Sequence, residues 1–362
     1  MSRRLFPLSL SATLLAGTAM AEVPRVAVDI APVHSLVARV MEGVGTPELI
    51  VPAGASPHEY SLRPSEAAAL QEADLVFWMG ADLSPWMDSA IDTLTGDAEV
   101  TALLEADETM LLEFREDALF EAHSHGEDAH DHGHDDHAEA GAHDHDHEEH
   151  AEEASHDHDH DHEEHSDAAA HEHDHDHEDH ADAHDHDHGH AHGEHDPHAW
   201  LTPDNAAPWL TLIAGELSAA DPDNAGAYFA NATAAQEELD ALATEIDGIL
   251  EPVRGGRFVV FHDAYQYFET AFDFPASGAI SLSDARDPSP ARIAEIQGRV
   301  ADEGIDCVLA EPQFDPGIVA TVMEGTDART AVLDPLGSDL APGPDLYPQM
   351  MRNLATSLAS CL

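Results

Sequence analysis

Apolar and polar residues alternate in a regular way near both ends of this 362-residue chain. Close to the start, short apolar runs at residues 25–30, 48–51 and 74–79 predict strands. The last of these, DLVFWM, is a continuous apolar run typical of a strand buried on both faces. Amphipathic stretches at residues 33–42 and 63–72 lie between the strands and predict helices. Strands that alternate with helices indicate parallel βα units.

The same alternation returns in the last third of the chain. Residues 257–262, 305–310 and 330–333 predict strands. Residues 290–302 and 348–360 predict helices between and after them. This second series indicates a second lobe built like the first.

Two helices are predicted between these lobes, a shorter one at residues 203–217 and a longer one at residues 223–250. The longer helix carries apolar residues at positions i, i+3, i+7 and i+10 of one face, namely Leu239, Leu242, Ile246 and Ile249. We therefore predict an α/β protein with two similar lobes, each containing a parallel sheet, joined by one long helix.

Residues 121–196 interrupt the pattern, because they are mostly histidine, aspartate, glutamate and alanine. They contain 26 of the 30 histidines and no apolar residue larger than alanine. Such a segment cannot bury a core, so we predict a long disordered loop inserted in the N-terminal lobe. Imidazole binds Zn²⁺ and also suits Cu²⁺ and Ni²⁺. The HDHDH repeats supply the auxiliary metal ligands that we predict: His143, His145, His147, His156, His158, His160, His173, His175, His177, His184, His186 and His188.

The first 21 residues have the pattern of an export signal. Arg3 and Arg4 precede a short apolar stretch, and the sequence Ala19-Met20-Ala21 is a typical cleavage site. The apolar stretch is too short to span a bilayer, and no cysteine follows it to carry a lipid. We expect a periplasmic protein, cleaved after Ala21, that has no stable membrane insertion.

These features divide the chain into six predicted segments. They are a signal peptide at 1–21, an N-terminal lobe at 22–120, the histidine-rich loop at 121–196, the rest of the N-terminal lobe at 197–221, the linking helix at 222–253 and the C-terminal lobe at 254–362.

The charge of the chain narrows its range of partners. The formal net charge is −61, and all 13 basic residues are arginine. Such acidity opposes binding to nucleic acid and to anionic membranes. It fits a protein that binds cations, although a saline habitat would also explain it.

The chain has two cysteines, Cys307 and Cys361. In an exported protein an isolated pair favours one disulfide, and two free thiols are the alternative.

Outside the loop, three histidines lie in turn-like segments: His58, His198 and His262. His262 ends a predicted strand and His58 follows one, and the carboxyl ends of parallel strands open into ligand-binding crevices. A single histidine beside a strand is more often structural. Three of them, in a chain with a metal-collecting loop, favour a metal site. His34 lies early in a predicted helix, so we expect it to be structural or on the surface.

Five segments carry a family resemblance. They are residues 54–65 (GASPHEYSLRPS), 196–205 (DPHAWLTPDN), 261–268 (FHDAYQYF), 311–314 (EPQF) and 333–337 (LDPLG). The chain resembles the zinc-binding periplasmic components of metal-uptake ABC transporters, the ZnuA type, over nearly all of its mature length. The resemblance implies two lobes bridged by a rigid helix, a metal in the interlobe cleft, and a disulfide between the two cysteines.

The resemblance also implies the ligands. They are His58, His198 and His262, and manganese-carrying relatives have a glutamate where His262 stands. Three neutral imidazoles suit Zn²⁺, whereas Mn²⁺ favours carboxylate oxygen, so the expected ion is zinc. The fourth position is open, because Pro57 replaces a glutamate that some zinc members have there. Asp334 is one candidate: it can bind the ion directly, act through a water molecule or only neutralise its charge. The other candidates for the fourth ligand are Glu59 and water.

We expect a monomer that captures zinc and delivers it to an inner-membrane ABC permease, which a cytoplasmic ATPase drives. The loop would collect or buffer the ion, and the protein would not be an enzyme. One alternative is a periplasmic zinc buffer or chaperone without a permease. Another is a zinc hydrolase, since three histidines permit an open water position.

Protonation of imidazole opposes metal binding, because a ligating histidine must be neutral. We therefore predict that the histidine-rich loop loses metal as the pH falls toward about 6, near the pKa of free histidine. A metal titration at several pH values tests this. Equal occupancy of the loop at about pH 7.5 and about pH 5.5 would refute it.

Overall fold

The computed structural model describes residues 23–115, 195–281 and 288–362. The predicted signal peptide and all twelve predicted loop ligands lie outside these residues. Within them, no helix is both long enough and apolar enough to cross a membrane.

The N-terminal lobe alternates strands and helices, and the elements up to residue 78 match those that the hydrophobic pattern predicts. Its elements are β1 (Val26–Val28), α1 (Ala31–Val40), β2 (Glu48–Leu49), α2 (Pro64–Glu72), β3 (Leu75–Trp78), α3 (Pro85–Leu94) and β4 (Glu99–Ala102). The strands form one parallel sheet in the order β2-β1-β3-β4.

The two central strands of this sheet are buried on both faces. Val28 and Phe77 face the large core shared with the rest of the molecule, while Ala27 and Val76 face a second core under α2 and α3. This two-sided burial explains why the strands appear in the sequence as continuous apolar runs.

The C-terminal lobe repeats the arrangement. Its elements are β5 (Phe258–His262), α6 (Gln266–Ala271), β6 (Gly278–Ser281), α7 (Pro290–Glu303), β7 (Cys307–Ala310), α8 (Pro316–Met323), β8 (Arg329–Val332) and α9 (Leu346–Cys361). The order β6-β5-β7-β8, again parallel, is the order of the first sheet. Two similar lobes with parallel sheets are thus confirmed.

Two helices lie between the lobes, α4 (Pro203–Ala220) and α5 (Ala225–Leu250). With 26 residues, α5 is about 39 Å long. Its buried residues recur every three to four positions: Tyr228, Ala232, Ala235, Leu239, Leu242, Ile246 and Leu250. This face packs on α4, α1 and α9, so the predicted long linking helix is confirmed.

A single core runs through both lobes. It includes β1 and β3 of the first lobe, β5 of the second, and the buried faces of α4, α5 and α9. Two bidentate ion pairs support this packing at the surface, Arg39 with Glu238 and Arg352 with Glu245. Because α9 of the C-terminal lobe packs against α1 of the N-terminal lobe, the two lobes share buried surface and position the cleft between them.

Two predicted helices begin earlier in the structure than in the sequence analysis. Helix α1 starts at Ala31 and α9 at Leu346, each with a proline, Pro32 or Pro348, in the first turn. Proline lacks the amide hydrogen that the first turn leaves unbonded, so it is compatible with a helix start. Pro32, which the sequence analysis placed before its helix, therefore belongs to α1, and Pro348 lies in the first turn of α9 rather than at its first residue.

The predicted disulfide is confirmed. Cys307 at the start of β7 is bonded to Cys361 at the end of α9, with the two Cα atoms 5.8 Å apart. Closing this loop stabilises the fold by about 4 kcal/mol in the chain-entropy model. The bond ties the last helix, which packs on both lobes, to the central region of the second sheet.

Candidate metal centre

His262 is the last residue of β5, so its side chain lies at the carboxyl end of the second sheet. The neighbouring strand β7 ends just before Glu311, whose carboxylate lies 2.7–2.8 Å from His262 Nδ1. The same carboxylate accepts a hydrogen bond from the backbone N–H of His262 at 3.1 Å. The contact places the proton on Nδ1 and leaves the lone pair of Nε2 for a ligand.

His198 is held in the same way by a different carboxylate. Asp196, two residues earlier, accepts from His198 Nδ1 at 2.7 Å and from its backbone N–H at 3.0 Å. The Trp200 ring packs against His198, and its Nε1 donates to the carbonyl oxygen of Pro335. This last bond fastens the short turn after His198 to the C-terminal lobe.

His58 lies in the loop between β2 and α2 and is half-buried. The carbonyl oxygen of Pro57 accepts two hydrogen bonds, from Ser84 Oγ at 2.9 Å and Trp86 Nε1 at 2.7 Å. These donors lie at the start of α3. A loop anchored at the residue before His58 presents the imidazole from the N-terminal lobe, on the side of the site that is open to solvent.

The three imidazoles meet at their Nε2 atoms. His198 Nε2 lies 3.3 Å from His58 Nε2 and 3.4 Å from His262 Nε2. Two nitrogens at about 2.0–2.1 Å from one tetrahedral Zn²⁺ would lie about 3.3–3.4 Å apart. Within the described ranges, this is the one group of three or more possible ligands whose ligating atoms all lie within 4.8 Å of one another. The residues present therefore fit a single small ion.

Apolar side chains surround the imidazoles. Phe314 packs edge-on against His262 and stacks on Phe261. The cavity at the site is lined by Pro57, Trp200, Phe314, Pro335 and Leu336, together with the polar residues Ser56, Glu311 and Gln313. Surroundings of low polarity strengthen the interaction of a cation with its ligands and with the carboxylates behind them.

Further acidic side chains lie behind the two buried histidines. Burial raises the pKa of the carboxyls of Asp196 and Asp263 to about 7, and the guanidinium of Arg115 lowers both. Burial also raises the pKa of the Glu269 carboxyl, and the guanidinium of Arg115 again acts to lower it. Buried carboxylates of this kind need a counter-charge or hydrogen bonds to remain ionised.

Asp334 does not join the three histidines. Its Oδ1 accepts from the backbone N–H groups of Leu336 and Gly337 at 3.1 Å and from Gln313 Nε2 at 3.2 Å. Its Oδ2 accepts from the backbone and the hydroxyl of Ser338. Gly337 has φ of 68°, a conformation that favours glycine. Asp334 therefore shapes the turn beside the cavity, and its direct binding of the ion remains a prediction.

The other candidates also lie apart from the cluster. Glu59 is exposed and does not belong to it. His34 is buried in α1, with its Nε2 3.0 Å from the carbonyl oxygen of Pro47, so it has a structural role. The described chain resumes at His195, and Asp196, which the sequence analysis placed in the loop, is buried in the lobe.

Sequence analysis gave no role to the two carboxylates that orient the histidines. Asp196 was quoted only as part of the DPH segment, and Glu311 only as part of EPQF. A usable signal existed, because Glu311 directly follows a predicted strand and so lies at the edge of the sheet where His262 ends its own strand. An acid beside a candidate ligand is the typical second partner of a metal-binding histidine.

Known proteins share both the sequence and the architecture. Residues 26–361 match the family described as zinc-uptake complex component A, periplasmic. The high-affinity zinc uptake system protein ZnuA of Brucella abortus is 44% identical over 364 residues, covering 99% of each chain. The protein of the same name from Paracoccus denitrificans is 43% identical over 345 residues, covering 95% of this chain and 93% of its own. A crystal structure of a ZnuA superposes with a TM-score of 0.65 at 19% identity, covering 94% of this chain and 99% of the other.

Replacing either orienting carboxylate by its amide, Asp196→Asn or Glu311→Gln, is expected to weaken zinc binding by about 10–100-fold. The amide keeps the shape of the side chain but no longer fixes the proton on Nδ1 by charge. Competition against a zinc chelator measures the effect.

Glu59→Gln is the matched control, because Glu59 is exposed and outside the cluster. Unchanged affinity is expected there. If Asp196→Asn and Glu311→Gln both bound zinc as the wild type does, the assigned roles of the two carboxylates would be wrong.

Proposed function

The chain belongs to the family of periplasmic zinc-uptake components, and from this premise we propose that it captures Zn²⁺ and delivers it to an inner-membrane ABC permease. The observation that carries the proposal is the spacing of the three Nε2 atoms, two of them 3.3 Å and 3.4 Å from the third. That spacing suits one tetrahedral ion held by His58, His198 and His262.

The donor set favours zinc as the transported ion. Three imidazole nitrogens suit Zn²⁺, whereas Mn²⁺ favours carboxylate oxygen. The two carboxylates Asp196 and Glu311 lie one imidazole away from the ion position, on the Nδ1 atoms of His198 and His262. Together they offset the double positive charge of the ion without binding it themselves, and they strengthen its bonds to the neutral imidazoles.

The fourth position is best assigned to water. Both oxygens of Asp334 are engaged in the turn of residues 334–338 and with Gln313, and Glu59 is exposed outside the cluster. An ion with three protein ligands and one exchangeable position is easier to release than one enclosed by four. Release to a partner is what a transport component must accomplish.

His58 lies where the ion would enter and leave the site. It is the half-buried member of the three, whereas His198 and His262 are buried. An ion approaching from solvent would contact His58 first. The two oriented, buried imidazoles of His198 and His262 would then complete its coordination. Loss of the His58 contact would begin release at the docked permease.

The energy for transport comes from elsewhere. The chain contains no lysine and therefore no phosphate-binding Gly-Lys motif. A separate cytoplasmic ATPase would drive the permease, while this protein acts as a monomer in the periplasm after cleavage behind Ala21.

The histidine-rich loop would collect zinc for the centre. Arg115 and His195, the described residues that flank residues 116–194, lie in the lobe close to Asp196 and hence to His198. Transient sites of two or three histidines in the loop would raise the zinc concentration beside the cleft. The fixed geometry of the three-histidine centre would then bind the ion more tightly.

Two variants test the proposal by competition titration with zinc. A chain lacking residues 122–194 is expected to keep one tight site while it loses the weaker ones. His198→Ala in the intact chain is expected to lose the tight site, since the tetrahedral set then has two protein ligands. Uptake of radioactive zinc by cells carrying each variant as their only copy links the binding to transport.

The proposed function is wrong if the tight site disappears with residues 122–194 or persists in His198→Ala. Normal zinc uptake by cells that carry only His198→Ala would contradict delivery through this centre.

A further inference from the structure

The segments that flank the histidine-rich loop are paired with each other. We call residues 112–115 and 195–196 the stem. The backbone N–H of Asp196 donates to the carbonyl oxygen of Leu112 at 2.8 Å, and Glu113 and His195 form an antiparallel bridge. The two ends of the long insertion are therefore fixed together where they join the lobe.

The C-terminal lobe holds the stem through Tyr267 of α6. Its hydroxyl accepts from the backbone N–H of Leu112 at 3.0 Å and donates to the carbonyl oxygen of Asp196 at 2.8 Å. Tyr267 is fully buried. One side chain of the C-terminal lobe thus forms hydrogen bonds with both segments of the stem.

Arg115 adds a charged contact between the stem and the C-terminal lobe. Its Nη2 lies 2.9 Å from Glu269 Oε2, and its Nη1 lies 3.4 Å from Asp263 Oδ1. The side chains of Asp263 and Glu269 are 2% and 6% exposed, and that of Arg115 is 19% exposed. Buried acids of this kind depend on a nearby cation, because their charges are shielded from water.

The acids around Arg115 connect directly to the buried histidines. Asp263 follows His262 in the chain. Asp196, which orients His198 through Nδ1, also interacts electrostatically with Arg115. The guanidinium of Arg115 therefore contacts Asp263, the residue next to His262, and interacts with Asp196, whose carboxylate is bonded to His198.

We propose that Arg115 is a positioning residue for the metal centre: its charge holds the stem against Asp263 and Glu269, and this contact sets the spacing of His198 and His262. The inference rests on the proposed zinc-binding function. Without the guanidinium, the buried acids would repel one another, and the segments carrying His198 and His262 would separate. Arg115 precedes residues 116–194 directly, so the same residue links the base of the insertion to the centre.

Arg115→Met in the full chain tests the proposal, with Arg352→Met as the matched control. Arg352 forms a bidentate pair with Glu245 between α9 and α5, at 2.7 Å and 2.9 Å, and neither residue lines the cavity at the three histidines. The zinc isotherm of each variant is measured in a chelator buffer. The same isotherm is measured for each variant with His198→Ala added, and it is subtracted. The difference gives the binding at the three-histidine site without the contribution of the loop.

Arg115→Met is expected to weaken this site by about tenfold, the lower end of the effect of losing an orienting partner. Arg352→Met is expected to bind zinc as the wild type does. The double variant Arg115→Met/Glu269→Gln is expected to recover part of the affinity, because Glu269 no longer carries a buried charge while Asp263 still lacks its counter-charge. A role in packing alone would not be rescued by that second change.

If Arg115→Met fails to fold, Arg115→Lys and the double variant carry the test. Arg115→Lys keeps the charge, and both this variant and the double variant are expected to lose less than about tenfold in zinc affinity relative to the wild type. Unchanged affinity in Arg115→Met, an equal loss in Arg352→Met, or no recovery in the double variant would overturn the role of Arg115. Persistence of the tight site in His198→Ala alone would instead overturn the proposed function, and this inference with it.

Discussion

The structure depends on holding three imidazole nitrogens together, with the Nε2 atoms of His58 and His262 at 3.3 Å and 3.4 Å from that of His198. Such an arrangement is unfavourable without a cation, because the lone pairs repel one another, so the surrounding protein must impose it. The carboxylates of Asp196 and Glu311 do this locally, each fixing one imidazole through Nδ1. They also place negative charge behind neutral ligands, which raises the basicity of the imidazoles and favours a divalent cation.

The larger scaffold supplies the remaining constraint. The carboxyl end of β5 carries His262, a loop after β2 carries His58, and a turn before α4 carries His198. These elements would move independently if the lobes were separate, yet one core extends through both of them, and α5 and α9 pack across the junction. The disulfide between Cys307 and Cys361 adds a covalent tie between the last helix and the second sheet. Tyr267 and Arg115 fasten the stem of the insertion to the same lobe.

Much of this architecture follows from the sequence. Continuous apolar runs locate the buried strands, the apolar face of α5 predicts a long helix, and strand ends explain why distant histidines meet. The hydrophobic pattern did not lead to five elements, namely α3, β4, α6, β6 and α8. The residues of β4 are exposed or half-buried, and α6 has six residues and too few turns for periodicity. The roles of Glu311 and Arg115 were not predicted either, since they depend on contacts between residues 49 and 154 positions apart. Asp196 lies only two residues from His198, but the sequence does not show that its carboxylate turns back to the imidazole.

X-ray diffraction from crystals of the zinc-loaded protein, measured at the zinc absorption edge, tests the central claim most directly. The account predicts a strong anomalous peak between the lobes, at about 2.0–2.1 Å from the Nε2 atoms of His58, His198 and His262. A peak bound through an Nδ1 atom, or the absence of zinc from these three imidazoles while it is bound elsewhere in the molecule, would contradict the account.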